Sequence, residues 1–575
     1  MELRVSTVPD SSSQIEECEH RQDVQIRFWN GRVFCGPAGA RLEAFVRAAL
    51  PPSSVPVVAA LVNGRLADLT EPLITDVDVE PVSLASEDGM RIYQRSLILM
   101  LEVAARELFH VHMDVDYSLT FGGLYCHALE RALTEKEVAQ IEQRMRSIFA
   151  EDAPIGREVM RKEDAIAWFE SQGDEGQVRL LSQANRKEVT LCSLHEVKDY
   201  FFGRLLVPSS GYLKQFAVWP ELPGLELQFP QRTRPMALEP PRRSPKFTAV
   251  SEQYGEWLSL LDVEDVGALN EALAQTRSRE IVLVAEALHE QRIAEIASNI
   301  AARRTVRLIT IAGPSSSGKT TFARRLTIQL LVNGLRPFPL SLDDYFVARE
   351  ETPRDAWGNY DYEDLHALDL ALFNEHLLAL MNGERVTLPR YNFEQGEREP
   401  GASVQLTPDH VLLIEGIHGL NPNLVPRIPA ERIYRISVST LTQLKLSRLN
   451  RISTTDTRLI RRIVRDARTR GYNADETIAR WESVRRGENR NIFPYQEQAD
   501  VLFNSALVYE LAVLKPMVEP LLRQIEPGSR EYVEARRLLM FLEWFNPCNA
   551  GLVPENSILR EFIGGSVVSD FVPHL

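Results

Sequence analysis

The sequence has few cysteines, and none of them is spaced to bind a metal. Five cysteines occur in 575 residues, and no two form a Cys-x-x-Cys pair. Neither a disulfide framework nor a cysteine-zinc site is therefore indicated. No apolar run reaches the roughly 18 residues that a membrane-spanning helix needs. Residues 1–23 lack the apolar core of a signal peptide, so we expect a disordered tail on a cytoplasmic protein with no membrane partner.

The chain also lacks an excess of positive charge. Its 65 Lys and Arg residues against 80 Asp and Glu residues give a net charge of −15, which argues against non-specific nucleic-acid binding. The Asn-Lys-x-Asp tetrapeptide that reads guanine is absent, which disfavours a GTPase. At this length, roughly three or four domains are expected.

What the chain does contain is a phosphate-loop pattern at residues 309–321. An apolar run precedes Gly-x-x-x-x-Gly-Lys-Thr, and a helical pattern follows it. In such a loop the backbone N–H groups wrap phosphate oxygens, the Lys reaches the outer phosphates and the Thr hydroxyl holds Mg²⁺. We therefore predict ATP and Mg²⁺ as cofactors, with Lys319 also catalytic and Thr320 a metal ligand. The predicted phosphate-binding residues are Gly313, Ser315, Ser316, Ser317, Gly318, Lys319, Thr320 and Thr321.

Strand and helix patterns alternate from residue 305 to about 505. This pattern predicts a mostly parallel sheet with helices on both faces, and ligands bind such sheets beyond the carboxyl ends of the strands. Asp343 and Asp344 end the second strand, and Glu415 ends the third. We predict that Asp343 takes the proton of an attacking hydroxyl or orients it, and that Glu415 holds Mg²⁺ through water. The strands are predicted at residues 305–312, 337–342, 410–415, 432–439 and 499–504.

Six arginines recur at spacings of three and four, which places several of them on one face of a helix. We interpret them as part of a lid that closes over the phosphates. A solvated helix face or a nucleic-acid patch is the alternative interpretation. The six are Arg458, Arg461, Arg462, Arg465, Arg468 and Arg470.

Residues 24–85 have the pattern of a small strand-rich unit. Asn30-Gly31 and Asn63-Gly64 are hairpin-type turns between alternating segments. The stretch Val-Ala-Ala-Leu-Val-Asn-Gly-Arg-Leu-Ala-Asp-Leu and the strand order resemble the TGS domain, a ubiquitin-like fold found in threonyl-tRNA synthetases and some GTPases. The resemblance implies a docking or regulatory module.

Residues 86–230 open with a helix, and Thr134 with Glu137 has the spacing of a capping box at a later one. The order resembles the α+β editing domain of threonyl-tRNA synthetase. That family carries a His-x-x-x-His and a Cys-x-x-x-His pair. Here Arg95 and Leu99 stand at the first pair, and Phe202 and Leu206 stand near the second. Because none of these side chains can ligate a metal or carry a proton as imidazole does, we expect the fold without editing chemistry.

Three further features are interpreted as structural. His110, His112, Asp114 and His127 are favoured as surface or interdomain groups over a metal site, because no fourth ligand has a recognisable spacing. Residues 231–300 are predicted to form a linker and connecting helices. Residues 511–575 are predicted to form a helical extension, and the Gly-Gly in it is predicted to form a turn or an interface. The phosphate-loop domain itself is predicted at residues 301–510.

Six motifs occur in order between residues 305 and 510: Gly313 to Thr321, Ser341-Leu342-Asp343-Asp344-Tyr345-Phe346, Asn359-Tyr360-Asp361, Pro389-Arg390-Tyr391-Asn392-Phe393, Leu413-Ile414-Glu415-Gly416 and Arg461-Arg462-Ile463-Val464-Arg465-Asp466. Together they resemble the uridine–cytidine kinases of the phosphoribulokinase/uridine kinase family. The resemblance implies that Asp343 is the catalytic base and that Asp361 binds ribose hydroxyls. It also implies that Arg462 holds the nucleoside. Tyr360, Tyr391 and Phe393 would line the nucleoside pocket, and Arg465 and Arg470 would belong to the lid.

The chain departs from that family at three places. Gln395-Gly396-Glu397 replaces the segment where the family has a histidine that reads the pyrimidine edge. Tyr472 stands in place of an arginine of the lid, and Arg480 in place of a glutamine. Since hydrogen bonds to a base edge give large discrimination, the missing histidine puts uridine specificity in question.

The resemblance implies an ATP- and Mg²⁺-dependent kinase that phosphorylates the 5′-hydroxyl of a nucleoside. One alternative keeps the fold and changes the acceptor to a sugar phosphate or another small alcohol. A second is an ATP-switched regulator whose N-terminal half binds tRNA or the ribosome. The sequence leaves tRNA binding and a homo-oligomer open.

Overall fold

A computed structural model describes residues 22–51, 55–119, 122–203, 205–239, 244–355, 358, 360–392 and 395–571. The tail expected at residues 1–23 lies almost entirely outside this range, and so does Phe393. Within it the chain is a multidomain α/β protein, as the sequence predicts.

The N-terminal unit is a five-stranded mixed sheet with one helix. Alternation along the first strand buries Val24, Ile26 and Phe28, and Asn63 turns the chain between β4 and β5 with a positive φ of 48°. The sheet order is β2-β1-β7-β4-β5. The elements are β1 Asp23–Phe28, β2 Val33–Pro37, β3 Ala40–Arg41, α1 Leu42–Ala49, β4 Val57–Val62, β5 Arg65–Ala67, β6 Pro72–Leu73 and β7 Val77–Ser83.

The second unit packs helices against a four-stranded and a three-stranded sheet. The capping box predicted for Thr134 and Glu137 is confirmed at the start of α3. The sheet orders are β13-β14-β9-β8 and β10-β11-β12. The elements are α2 Glu87–Phe109, β8 Met113–Leu119, β9 Gly123–Ala128, α3 Glu135–Glu151, β10 Gly156–Arg161, α4 Lys162–Gln172, α5 Glu175–Gln183, β11 Glu188–Leu194, β12 Val197–Tyr200, β13 Ala217–Glu221 and β14 Gly224–Gln228.

Three helices follow in the segment predicted to form a linker and connecting helices. Pro245 occupies the first turn of α6. A proline is tolerated there because the first-turn N–H groups have no partner within the helix. The helices are α6 Pro245–Leu260, α7 Val266–Ala274 and α8 Ser278–Ala302.

All five strands predicted for the phosphate-loop domain are present and pair in parallel, in the order β16-β19-β15-β20-β23. Their carboxyl ends meet at one edge of the sheet, where ligands bind in such folds. The elements are β15 Leu308–Ala312, α9 Lys319–Val332, β16 Arg336–Ser341, α10 Leu370–Met381, β17 Arg385–Asn392, β18 Glu397–Gln405, β19 His410–Glu415, β20 Ile433–Ser439, β21 Lys445–Ser447, β22 Asn450–Arg451, α11 Thr454–Thr469, α12 Ala474–Asn491 and β23 Val501–Asn504.

The C-terminal extension is helical and folds back onto the phosphate-loop domain. Its helices are α13 Glu510–Leu522, α14 Arg530–Leu542 and the short α15 Arg560–Ile563. Ile558, Leu559 and Phe562 are buried in the same core cluster as strands β15 and β20. This core also contains residues of α4 and α5, so the phosphate-loop domain and the second unit share apolar packing.

Buried ion pairs join the β21–β22 hairpin to the second unit. Lys445 Nζ lies 2.5 Å from both Asp114 Oδ2 and Asp116 Oδ1, and His127 Nδ1 lies 2.8 Å from Asp116. Asp114, Asp116 and His127 are close enough to share a cation, and the Lys445 ammonium occupies that position. Asp114 and His127 are therefore part of an interdomain contact. Among the described helices, none combines the length and apolar character that crossing a membrane requires.

Candidate functional site

The phosphate loop joins the buried strand β15 to helix α9. Gly318 is the N-cap residue of α9, with a φ of 83° that favours glycine. A Cβ on Gly313 would lie 2.0 Å from the Val438 carbonyl oxygen, so only glycine fits beside β20. The loop therefore delivers the first N–H groups of α9, which have no partner within the helix, to the carboxyl edge of the sheet.

Two buried arginines of α11 hold this loop from the side of the core. Arg458 Nε donates to the Ser315 carbonyl oxygen at 2.9 Å, and Arg461 Nη1 donates to the Ser316 carbonyl oxygen at 3.3 Å. Each guanidinium is also paired, Arg458 with Glu488 and Arg461 with Glu510. The two arginines are 1% and 0% exposed. The prediction that all six arginines belong to a moving lid is wrong for this pair, because buried, paired guanidinium groups cannot swing over a ligand.

Carboxylates accept hydrogen bonds from two N–H groups of the loop. Glu488 Oε1 accepts from the Ser315 N–H at 2.9 Å. Glu561 Oε2 accepts from the Thr321 N–H at 3.2 Å and from its hydroxyl at 3.0 Å. Neither acidic residue was identified from the sequence.

Lys319 lies at the centre of a group of carboxylates. Burial raises the pKa of Asp343, Glu363 and Glu415, and the Lys319 ammonium opposes the increase in each. For Glu363, burial together with Glu488 raises the pKa to about 6. The Lys319 charge lowers the pKa of Asp343, which follows β16, and of Glu415, which ends β19. The carboxyl ends of these two strands therefore lie near the phosphate loop.

Thr320 and Glu415 lie together at this edge. Burial raises the pKa of Glu415, and a hydrogen bond from the Thr320 side chain opposes that increase. A hydroxyl and a carboxylate are hard oxygen ligands of the kind that Mg²⁺ binds, often through its own waters. These two side chains therefore fit the predicted magnesium site.

Asp343 and Asp344 stand in a single-turn helix immediately after β16, where Ser341 Oγ accepts from the Asp343 N–H at 3.2 Å. Asp343 keeps contact with solvent, although protein atoms largely surround its carboxylate. Burial raises its pKa, Lys319 opposes that shift and Asp344 adds to it. Asp344 Oδ1 instead accepts from the Tyr391 N–H at 3.2 Å. The two neighbouring aspartates thus differ: Asp343 faces the phosphate loop, and Asp344 supports the β17–β18 hairpin.

The predicted nucleoside residues form a chain of rings beside the two aspartates. Tyr391 contacts Phe346 with 5.7 Å between ring centroids, Phe346 lies 6.4 Å from Tyr362, and Tyr362 lies 6.1 Å from Tyr360. Phe346 and Tyr362 were not singled out in the sequence analysis. Asp361 is close to this group, but Arg490 Nη2 donates to its carboxylate at 2.7 Å. The predicted sugar-binding carboxylate is therefore already ion-paired.

The remaining arginines of α11 occupy different places. Arg462 Nη1 donates to Ser315 Oγ at 2.8 Å, so its side chain lies at the phosphate loop. Arg465 Nη2 is 2.8 Å from Asp466. Arg470 is half exposed at the end of the helix and near enough to Asp343 to lower that residue's pKa. Arg470 is thus the lid residue that the structure brings towards the predicted base.

The positions expected to have lost editing ligands do come together. Arg95 Nη1 donates to the Phe202 carbonyl oxygen at 2.5 Å, while Leu99 and Leu206 are buried in the core of the second unit. An apolar core and a guanidinium therefore occupy these positions, and none of the four side chains is of a kind that binds a metal.

Comparison with known proteins separates the two parts of the chain. Residues 308–512 match the sequence model of the Phosphoribulokinase / Uridine kinase family. The N-terminal half is homologous to threonine–tRNA ligases. The ligase of Anaplasma marginale (strain St. Maries) is 32% identical over 171 residues, which are 29% of this chain and 27% of that protein. The ligase of Halalkalibacterium halodurans is 27% identical over 197 residues, which are 34% of this chain and 30% of that protein. The chain thus spans less than a third of these relatives.

Two solved structures also align with the chain. A possible uridine kinase from Bacillus stearothermophilus is 20% identical, covers 37% of this chain and 98% of its own, and has a TM-score of 0.26. D-glycerate 3-kinase from Cryptococcus neoformans is 15% identical, covers 44% of this chain and 87% of its own, and has a TM-score of 0.20.

The Arg458–Glu488 pair beside the phosphate loop can be tested by substitution. Arg458→Met removes the close cation of buried Glu488 and leaves Arg485 Nη1 3.9 Å away, so it should lower the free energy of unfolding by about 3–5 kcal/mol. Arg458→Met/Glu488→Met replaces the whole pair by apolar groups and should recover most of that loss. Urea unfolding of Arg458→Met, Glu488→Met and the double variant measures this coupling. A double variant no more stable than Arg458→Met would show that the loss does not come from the unpaired charge of Glu488.

Proposed function

We propose that this chain, whose residues 308–512 are a domain of the Phosphoribulokinase / Uridine kinase family, is a kinase that uses ATP and Mg²⁺ to phosphorylate the 5′-hydroxyl of a nucleoside. The observation that carries the proposal is the placement of Asp343 at the end of β16, within electrostatic reach of Lys319 in the phosphate loop. A base for the acceptor and a cation for the transferred group thus share one edge of the sheet.

The residues of the site have separate roles in the phosphoryl transfer. The acceptor oxygen attacks the γ-phosphorus, its proton passes to Asp343, and the bond to the bridging oxygen breaks so that ADP leaves. Lys319 and Arg470 balance the negative charge near the reacting phosphoryl group. Thr320 and Glu415 would hold Mg²⁺, which neutralises phosphate charge when it is bound.

The aromatic chain supports a planar acceptor group. Tyr362 is 44% exposed and offers a ring surface beside Phe346 and the buried Tyr391, while the Arg354 guanidinium lies over the Tyr360 ring at 4.3 Å. Asp361 can accept from ribose hydroxyls once its contact with Arg490 is shared or released.

A second candidate is a phosphorylated sugar or another small alcohol as acceptor. It is favoured by two cations at this end of the site. Arg490 pairs with Asp361. A Cβ added to Gly396 would lie 3.0 Å from Arg349 Nε, so the Arg349 side chain borders the segment that departs from the uridine kinase pattern. Guanidinium groups suit a phosphate already present on the acceptor.

Acceptor identity is tested by ADP release with ATP and Mg²⁺ over a panel of nucleosides, sugar phosphates and alcohols. We expect turnover with a nucleoside, a loss of about 10²–10⁴-fold in kcat for Asp343→Asn, and loss of nucleotide binding for Lys319→Ala. Asp344→Asn is the matched control, because its side-chain oxygen can still accept from Tyr391. Turnover that Asp343→Asn leaves intact would refute the assignment of the base, and turnover with sugar phosphates alone would favour the second candidate.

The environment of Asp343 predicts the pH dependence of the reaction. Its pKa is raised above the ordinary 3.8, so kcat/KM should rise with pH along an acid limb whose midpoint lies above that value. Asp344 contributes to the increase, and Asp344→Asn should therefore move the midpoint to lower pH. The measurement is kcat/KM against pH for both proteins. A midpoint that stays fixed, or moves upward, would mean that Asp343 is not the group that titrates.

A further inference from the structure

A cavity of about 310 Å³ lies between the second unit, the β21–β22 hairpin and α14. It is separate from the phosphate loop. Its walls include the rings of Phe202, Phe229 and Phe541, and it is also lined by several arginines. This volume is at the lower end of the range for small-molecule sites.

Most arginines of this cavity have carboxylate partners. Arg91 and Arg537 share Glu534 and Asp456, and Arg232 pairs with Glu482. These ion pairs account for their burial without any ligand.

Arg95 and Arg451 differ from these paired residues. Across the described residues neither forms an ion pair, and the Nε of each is buried without a hydrogen-bond partner. Among the described residues, Arg95 donates to the Phe202 carbonyl oxygen at 2.5 Å. Burial lowers the pKa of both guanidinium groups to about 10, although Asp88 opposes the shift at Arg95, and Asp116 and Asp456 oppose it at Arg451. Two largely enclosed cations thus face one cavity without a carboxylate in direct contact, an arrangement that disfavours the empty state.

We propose that this cavity binds a phosphorylated small molecule, with its phosphate on Arg95 and Arg451 and its organic part against the phenylalanine rings. A dianionic phosphate matches two guanidinium groups, each of which can donate two parallel hydrogen bonds. The aromatic wall suits a planar or apolar remainder. The site does not depend on the reaction at the phosphate loop.

Inorganic phosphate is the probe, and Lys319→Ala is the background that removes binding at the phosphate loop. With KCl matching the ionic strength, phosphate should raise the unfolding temperature of Lys319→Ala in a saturable way. Arg451→Met, added to Lys319→Ala, should weaken the apparent affinity for phosphate at least tenfold. Arg161→Met, which replaces an exposed arginine, should leave that affinity unchanged in the same background. No saturable rise in Lys319→Ala, or equal affinity after Arg451→Met, would overturn the proposal.

Arg451→Met should fold, because it removes an enclosed charge that has no partner among the described residues. If it fails to fold, Arg451→Lys keeps the charge and the aliphatic stem but loses the forked donors. It should weaken phosphate binding several-fold in the Lys319→Ala background, and unchanged affinity would overturn the proposal equally.

Two residues of the C-terminal extension, Ile558 and Glu561, lie against the phosphate loop. Glu561 accepts from both the N–H and the hydroxyl of Thr321, at 3.2 and 3.0 Å. Ile558 covers Gly318, whose added Cβ would lie 2.4 Å from Ile558 Cγ2. The N–H groups at this turn of a phosphate loop are those that bind phosphate oxygens, so a carboxylate occupies a phosphate position.

The segment that carries Glu561 is anchored on both sides. Glu286 accepts from the Ser557 hydroxyl at 2.5 Å and from the Tyr509 hydroxyl at 2.6 Å. The Phe562 ring lies 5.0 Å from the Arg461 guanidinium, and Arg468 donates to the Phe562 carbonyl oxygen at 3.2 Å. The contact with Thr321 therefore belongs to a packed element of the fold.

We infer that the Glu561 side chain is an autoinhibitory strap that a nucleotide must displace from the phosphate loop. The inference rests on the proposed function, since it requires the loop to bind a nucleotide. Negative charge on Glu561 would repel the phosphates as well as block the Thr321 donor. The Glu561 charge also acts on Glu415. Burial raises the pKa of Glu415, and the Glu561 charge raises it further.

ATP binding to the full chain, measured by calorimetry with Mg²⁺, tests the strap apart from turnover. Glu561→Gln should bind ATP about five- to fiftyfold more tightly than wild type, whereas Glu555→Gln, on the exposed surface of the same segment, should not. Equal or weaker binding by Glu561→Gln would overturn the strap while leaving the kinase proposal intact. Wild-type and Glu561→Gln proteins that both bind no more ATP than Lys319→Ala would overturn both.

Discussion

The phosphate loop depends on two buried ion pairs that lie far from it in the sequence. Arg458 with Glu488 and Arg461 with Glu510 bring guanidinium groups to the carbonyl oxygens of the loop. Enclosing unpaired charge costs several kcal/mol for each ion, whereas a well-bonded pair offsets most of that cost. The Ser315 and Ser316 carbonyl groups are therefore fixed from the inner side of the loop, and so is the Ser315 N–H, which donates to Glu488. Helices α11 and α12 thus share in setting the shape of the site.

The same part of the chain joins the two halves of the molecule. Between β20 and α11, the β21–β22 hairpin places Lys445 on Asp114 and Asp116. Arg448 of this hairpin contacts Glu102 at 3.0 Å and Asp174 at 2.8 Å. A segment that bonds to the synthetase-like half thus leads directly into the helix that supports the phosphate loop. The apolar core shared with α4 and α5 reinforces this connection.

Local patterns in the sequence were sufficient for the sheet and for the loop. Apolar runs of strand length, the Gly-x-x-x-x-Gly-Lys-Thr spacing and acids at strand ends predict the parallel sheet and the convergence of Asp343 and Glu415 on Lys319. Glu363, Glu488 and Glu561 could not be found in this way, because their partners lie far along the chain and no spacing marks them. Helix α11 shows most clearly what local sequence patterns cannot predict. Periodicity predicts one charged face, but burial of Arg458 and Arg461 is a tertiary property.

The central claim is phosphoryl transfer from ATP to a nucleoside hydroxyl at this loop. Its most direct test is a single-turnover reaction with γ-labelled ATP, Mg²⁺ and uridine, followed by identification of the labelled product. The account predicts label at the 5′-position of uridine in wild type and none with Lys319→Ala. Label that reaches only water, or an acceptor without a nucleoside, would contradict it.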